Sequence, residues 1–176
     1  MTGHDTKQRT PGGTGWIGAL VTSAEGVYGL IVVAGVIVVS SDLGDATTAD
    51  VVLSATATLL VFFAAHVYAA VLSWLTTVHD EGRDLGTAVR HGLRDSAGML
   101  LVGVLPVLAL CLGMVGIVRA TDAVWLALGV DVLLLGLLGW FIATIRTSQI
   151  WVRLGSALVT AAFGGALILL KAAVHH

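Results

Sequence analysis

AVWLALGVDVLLLGLLGWFIATI, residues Ala123–Ile145, runs for 23 residues with one ionisable side chain, Asp131, set among Leu, Val, Ala and Gly. A hydrocarbon core about 30 Å thick takes about 20 residues of α-helix, so this stretch has the length and apolarity of a membrane span. Four more runs of the same kind flank it: Trp16–Ser40, Val51–Val78, Ser96–Val118 and Trp151–Val174. The whole chain follows suit, with 57% hydrophobic and 11% charged residues among 176 and a mean hydropathy of +0.96. Soluble domains carry about 25% charged residues, so this chain lacks the charge to cover a water-facing surface. Backbone polar groups must be satisfied internally in lipid, which admits only helices and closed barrels. These runs are continuous rather than alternating, and helices follow. The expected fold is all-α, a polytopic membrane protein built as a bundle of five transmembrane helices over residues 16–174.

Residues 1–15, with Pro11, Gly12, Gly13 and Gly15, read as a flexible cytoplasmic tail with no cleavable secretory signal. Lys7, Arg9, Arg83, Arg90, Arg94, Arg146 and Arg153 fall on one side of the expected topology, against Arg119 and Lys171 on the other. That bias puts the N-terminus in the cytoplasm and the C-terminus outside, in a multi-pass cell-membrane protein. Trp16, Trp74, Trp125 and Trp151 lie near span ends, at the depth indoles prefer. The single cysteine, Cys111, leaves the redox compartment undetermined. No basic, aromatic-laced patch points to nucleic acid. Phosphate-loop, nucleophile-elbow and His-Glu-x-x-His motifs are all missing, so catalysis is not the expected function and no organic cofactor is implied.

Short loops make consecutive spans antiparallel neighbours. Ala109 with Gly113, and Ala157 with Ala161 and Gly165, have the small-residue spacing of close helix contacts. Pro106 predicts a kink or a freed carbonyl in the third span. Leu85, Val89 and Leu93 line one side of the loop 79–95, which suggests a short amphipathic helix on the cytoplasmic membrane surface, or else a helical hairpin in which the flanking spans extend.

An ionisable group at a bilayer centre costs about 2.5–3.5 kcal/mol by insertion scales and marks a functional position by default. Glu25, His66 and Asp131 are three such groups, at different depths. His66 shares a helix face with Ser73 and Thr77 and with small alanines, and its imidazole could shuttle protons or hold a metal. The bland alternative is a histidine hydrogen-bonded to a neighbouring helix carbonyl as structural glue. Glu25, in Ser23-Ala-Glu-Gly-Val-Tyr28-Gly29, either lies deep or caps the first span, where the helix dipole alone accounts for it. The preferred site is a Glu25–His66 pair at the inner mouth, with Tyr28 and Ser73 beside it. Asp131 must pair across helices or take a proton, and the partly polar face of the fifth span bearing Arg153, Ser156, Thr160, Gly164, the bulky Leu167 and Lys171 could receive it. In the loop, Asp80/Asp84 and His91/Asp95 have ligand spacing for a divalent cation, although interleaved arginines also fit a salt-bridged surface.

Ser96–Leu105 with Pro106, and Trp151–Ala162, give the last three spans an order of parts that resembles the vacuolar iron transporter family. The resemblance implies a five-span, N-inside homodimer that exchanges divalent metal for protons, with Glu25 in place of that family's first-span aspartate. The family's long cytoplasmic metal-binding domain is reduced here to the loop His79–Asp95, and His66 and Tyr68 stand where its second span carries methionine and acidic residues. The chain is similar to the same degree to a small actinobacterial membrane-protein family, a likeness that implies no activity. The expected function is a transporter or channel for a small cation, a divalent metal and/or a proton. Glu25 and His66 would serve the cytoplasmic mouth, with Asp131 deeper and a divalent metal as the bound species. The alternative is a non-transporting accessory or assembly subunit of a larger membrane complex; a lipid-binding protein with a groove at Pro106 is a third class.

Overall fold

The computed structural model describes residues 24–42, 46–77 and 84–174. They form a bundle of five helices: α1 (Ala24–Ser41), α2 (Thr48–Thr77), α3 (Leu85–Met114), α4 (Ala120–Arg146) and α5 (Ile150–Val174). Four of these, α2 to α5, are long and apolar enough to cross a membrane, while α1 is the short member. The protein is thus an all-α, multi-pass membrane protein. The N-terminal tail, Trp16, and the loop residues His79, Asp80, Glu81 and Arg83 lie outside the described residues.

Helix boundaries follow local chemistry. Thr47 and Asp50 form a capping box at the start of α2: the Thr47 amide donates to Asp50 Oδ2 at 2.8 Å and the Asp50 amide to Thr47 Oγ1 at 3.3 Å. Asp84 caps α3 by accepting from the Thr87 amide at 3.3 Å. Once capped there, α3 meets no breaker before the bilayer, so Leu85–Asp95 is its first three turns rather than a separate surface helix. The continuity with the following span that the hairpin alternative requires is present for Leu85–Asp95. Gly92 fixes it against α2, because a Cβ there would come 2.9 Å from the Val67 carbonyl oxygen. At the far end α3 unwinds through Gly116, whose φ of +80° suits glycine, with the Ile117 amide returning to the Leu112 carbonyl at 3.1 Å. The Arg153 guanidinium ties the α4–α5 turn by donating to the Thr147 carbonyl oxygen at 2.8 and 3.0 Å.

Helices α2, α3, α4 and α5 pack in chain order, each antiparallel to the next, and α1 lies against all four. Lipid tails are as apolar as leucine, so small residues and close backbones rather than hydrophobicity set which helices meet. On α5, Ser156, Ala157, Thr160, Ala161 and Gly164 face α4, whereas a Cβ on the expected Gly165 would have nothing within 4 Å. A helix of 3.6 residues per turn returns to one face at i+7, and i+8 has rotated away.

The same contacts set the heights at which the helices meet. Gly113 of α3 abuts Ala123 of α4, Gly29 of α1 abuts Met99 of α3, and Gly103 of α3 abuts Leu59 of α2. Counting along the axes from these anchors at about 1.5 Å per residue puts Pro106 level with Asp131, and Glu25 level with His66. The bundle has two ends, called here the Lys171 end and the Asp95 end.

Candidate functional site

Ionisable and polar side chains occur at three heights, separated by apolar packing. At the Lys171 end, Lys171 Nζ donates to Asp42 Oδ1 and to Ser41 Oγ, each at 2.7 Å. The lysine side chain is 4% exposed and the aspartate 14%. Beside the pair is a partly open cavity of about 140 Å³ lined by Ser41, Thr48, Val51, Val124, Trp125 and Lys171 among others. The sequence reading missed this pair. Its signal was available: an isolated lysine at the end of an apolar run, and an acidic loop at the same end of the bundle.

Removing one member of a buried pair strands the other, which costs about 3–5 kcal/mol in a deep site and less near the end of a bundle. Lys171→Met is expected to destabilise the fold by about 1–3 kcal/mol on that argument. A double-mutant cycle with Asp42→Asn should return most of that as coupling energy, and additive effects would show that the two side chains do not act together.

Asp131 stands midway along α4 and is 0% exposed. Among the described residues neither carboxylate oxygen has a hydrogen-bond partner. It sits on the buried stripe Val124, Leu128, Asp131, Leu135, Leu138. Leu128 belongs to an apolar cluster with Val33, Ile37 and Leu110; Leu135 and Leu138 belong to a second with Leu30 and Val102. Asp131 therefore interrupts the packing between two dry layers. The α5 face expected to receive it is committed elsewhere. Ser156 Oγ donates to the Gly139 carbonyl at 2.9 Å, and Thr160 Oγ1 to the Ser156 carbonyl at 2.9 Å. Pro106 on α3 is fully buried at the height of Asp131. Having no N–H, it leaves the Val102 carbonyl without its helical donor.

Nearer the Asp95 end, His66 Nδ1 lies 3.0 Å from the Phe62 carbonyl of its own helix, which assigns the ring proton to that nitrogen. The ring packs against Tyr28 with centroids 5.8 Å apart, and Tyr28 against Phe62 at 5.9 Å. These residues, with Ala65 and Ala69, line an open groove of about 360 Å³ on the side of the bundle. Glu25 occupies the first turn of α1, where the dipole favours a carboxylate. It shares the height of His66, yet among the described residues no hydrogen bond or ion pair reaches it. The aromatic Tyr28, one turn on, meets His66 instead. Ser73, two turns along α2 from His66, is exposed.

Of the loop cluster, Asp84 is spent on the α3 cap, and His91 Nδ1 pairs with Asp95 Oδ2 at 3.0 Å on an exposed face. Asp80 lies outside the described residues. Among the described residues no three His, Cys, Asp or Glu side chains converge as a metal site. Leu85, Val89 and Leu93 remain exposed, and the last two continue onto Phe63, Val67 and Val71 of α2 as one apolar groove.

Comparison with family models, curated proteins and solved structures finds no match for this chain.

Proposed function

We propose that the protein moves a small cation across the membrane and that Asp131 is the group that binds it in transit. The observation that carries this is a fully buried carboxyl group, midway along α4 on a stripe of buried apolar side chains, with both oxygens unpartnered among the described residues. A structural aspartate would have found a donor, since a buried polar group left unpaired costs about 1–3 kcal/mol and buried groups are otherwise satisfied. Retaining it without one gives the group a task in which it must change partners. The positive-inside bias puts the Lys171 end outside in this reading, with Glu25 and His66 at the inner mouth.

Proteoliposomes loaded with a pH dye and challenged with proton or divalent-cation gradients test the proposal. Wild-type protein should carry flux above protein-free vesicles, and Asp131→Asn should reduce it at least about tenfold, the equivalent of about 1.4 kcal/mol in the barrier. His66→Ala and Glu25→Gln should give smaller reductions. Equal flux in wild type and Asp131→Asn would remove Asp131 from the path. No flux under any gradient, together with co-purification of a larger complex, would favour the accessory-subunit reading.

A further inference from the structure

We propose that the species bound at Asp131 is a proton, and that it arrives from the Lys171 end through the cavity beside Lys171, across a single apolar layer. This rests on Asp131 being the working group, and names its ligand and its side of access.

The ligand follows from what surrounds the carboxyl group. A dehydrated metal cation needs several oxygen ligands; calcium takes six to eight. Asp131 offers two, and its neighbours along the stripe are Leu128 and Leu135. A proton needs one oxygen. Transfer from hydronium forms the O–H bond, releases water and removes the charge, so no counter-ion is required inside the dry layers.

The side of access follows from barrier thickness. Val124 lines the cavity at the Lys171 end and lies on the same stripe, two turns or about 10 Å from Asp131. On α4 itself only Ala127 and Leu128, 0% and 1% exposed, stand between them, packed in one cluster with Val33, Ile37 and Leu110. Toward the Asp95 end the same stripe continues through Leu135 and Leu138, closed over by Leu30 and Val102, and the open groove there is lined by Tyr28 of α1 and by Phe62, Ala65, His66 and Ala69 of α2, with no residue of α4 among the described residues.

Lys171 and Asp42 stand at the mouth as an ion pair whose charges cancel. The lysine ammonium has three N–H groups, of which Ser41 and Asp42 take two. By the α4–α5 register the lysine Cα lies about 8 Å above that of Asp131. The ammonium is held by Ser41 and Asp42 at the end of the bundle and does not pair with Asp131. The other charged or titratable groups on the packed elements are remote. Glu25 and Tyr28 of α1, Arg94 and Asp95 of α3, Arg153 of α5 and Arg146 of α4 itself all belong to the Asp95 half, as does His66 of α2. Asp122 of α4 lies beyond the cavity in the first turn, Asp50 of α2 is next to the cavity-lining Val51 but exposed and bonded to Thr47, and Cys111 of α3 is partly exposed near the Lys171 end.

Infrared difference spectroscopy on reconstituted protein carrying carboxyl-labelled aspartate tests this, with pH jumps applied to one side of sided proteoliposomes. A protonated-carboxyl band absent from Asp131→Asn is expected at neutral pH. It should respond first to pH on the Lys171 side, and Leu128→Ala should speed that response roughly tenfold, while Leu135→Ala leaves it unchanged. An ionised Asp131 at neutral pH, a response led from the Asp95 side, or a band displaced by zinc or manganese each overturns the proposal. If Asp131→Asn does not fold, the labelled wild type and Leu128→Ala still decide it. A titrating acid band without net flux keeps this inference and removes the transport reading; flux with a permanently ionised Asp131 does the reverse.

Discussion

Asp131→Val is expected to stabilise the bundle against unfolding by about 1–3 kcal/mol while ending cation flux. The wild-type side chain contributes no hydrogen bond within the described residues and displaces apolar contacts between Leu128 and Leu135. Valine approximates its volume and restores those contacts without forcing the neighbouring layers apart. Controlled unfolding in lipid or mixed micelles measures the difference, and a loss of stability beyond about 1 kcal/mol would show that the carboxyl group holds a structural partner. Gains in stability that accompany a loss of function are the usual mark of a group retained for its chemistry.

The second large effect concerns the seam between α4 and α5. A Cβ at Gly139 would overlap the Thr160 hydroxyl and come 2.7 Å from the Ser156 carbonyl oxygen. Backbone cannot yield as a side-chain tip can, so Gly139→Leu should destabilise the protein by about 3 kcal/mol and break the Ser156–Gly139 hydrogen bond. Gly165→Leu is the control. Nothing lies within 4 Å of a Cβ there, so its effect should stay within about 0.5 kcal/mol. Equal costs at the two positions would refute the seam, which also holds α4 at the height that places Asp131 mid-bundle.

Much of the architecture was legible because it depends on local period and composition. Four apolar runs became long helices in the order expected, since each stretch satisfies its own backbone whatever its neighbours do. Asp131 stood out from the opening sequence because one carboxylate in 23 apolar residues needs an explanation anywhere it packs. The helical continuity of Leu85–Asp95 with α3 was open in the sequence, where an exposed apolar stripe fits both a surface helix and an extended hairpin. Packing of Gly92 on the Val67 carbonyl decided it.

The site was less legible, for a physical reason. Spacing within a helix gives which face a residue occupies, but neither the rotation of that face in the bundle nor the height of its neighbours. Glu25 and His66 do share a height, yet the rotation of α1 brings Tyr28 to the imidazole. Ser156 and Thr160 do face α4, yet the α4–α5 register sets them against Gly139 rather than Asp131.

By itself, then, the sequence determined the helices, their alternation through the membrane and the presence of charge inside them, because these follow from transfer free energies of consecutive residues. Only the tertiary structure decided that Lys171 meets Asp42 across 129 positions of chain and that Asp131 meets no donor among the described residues. Those outcomes depend on interhelical register, which a few small residues set by letting backbones touch, and no local pattern encodes it.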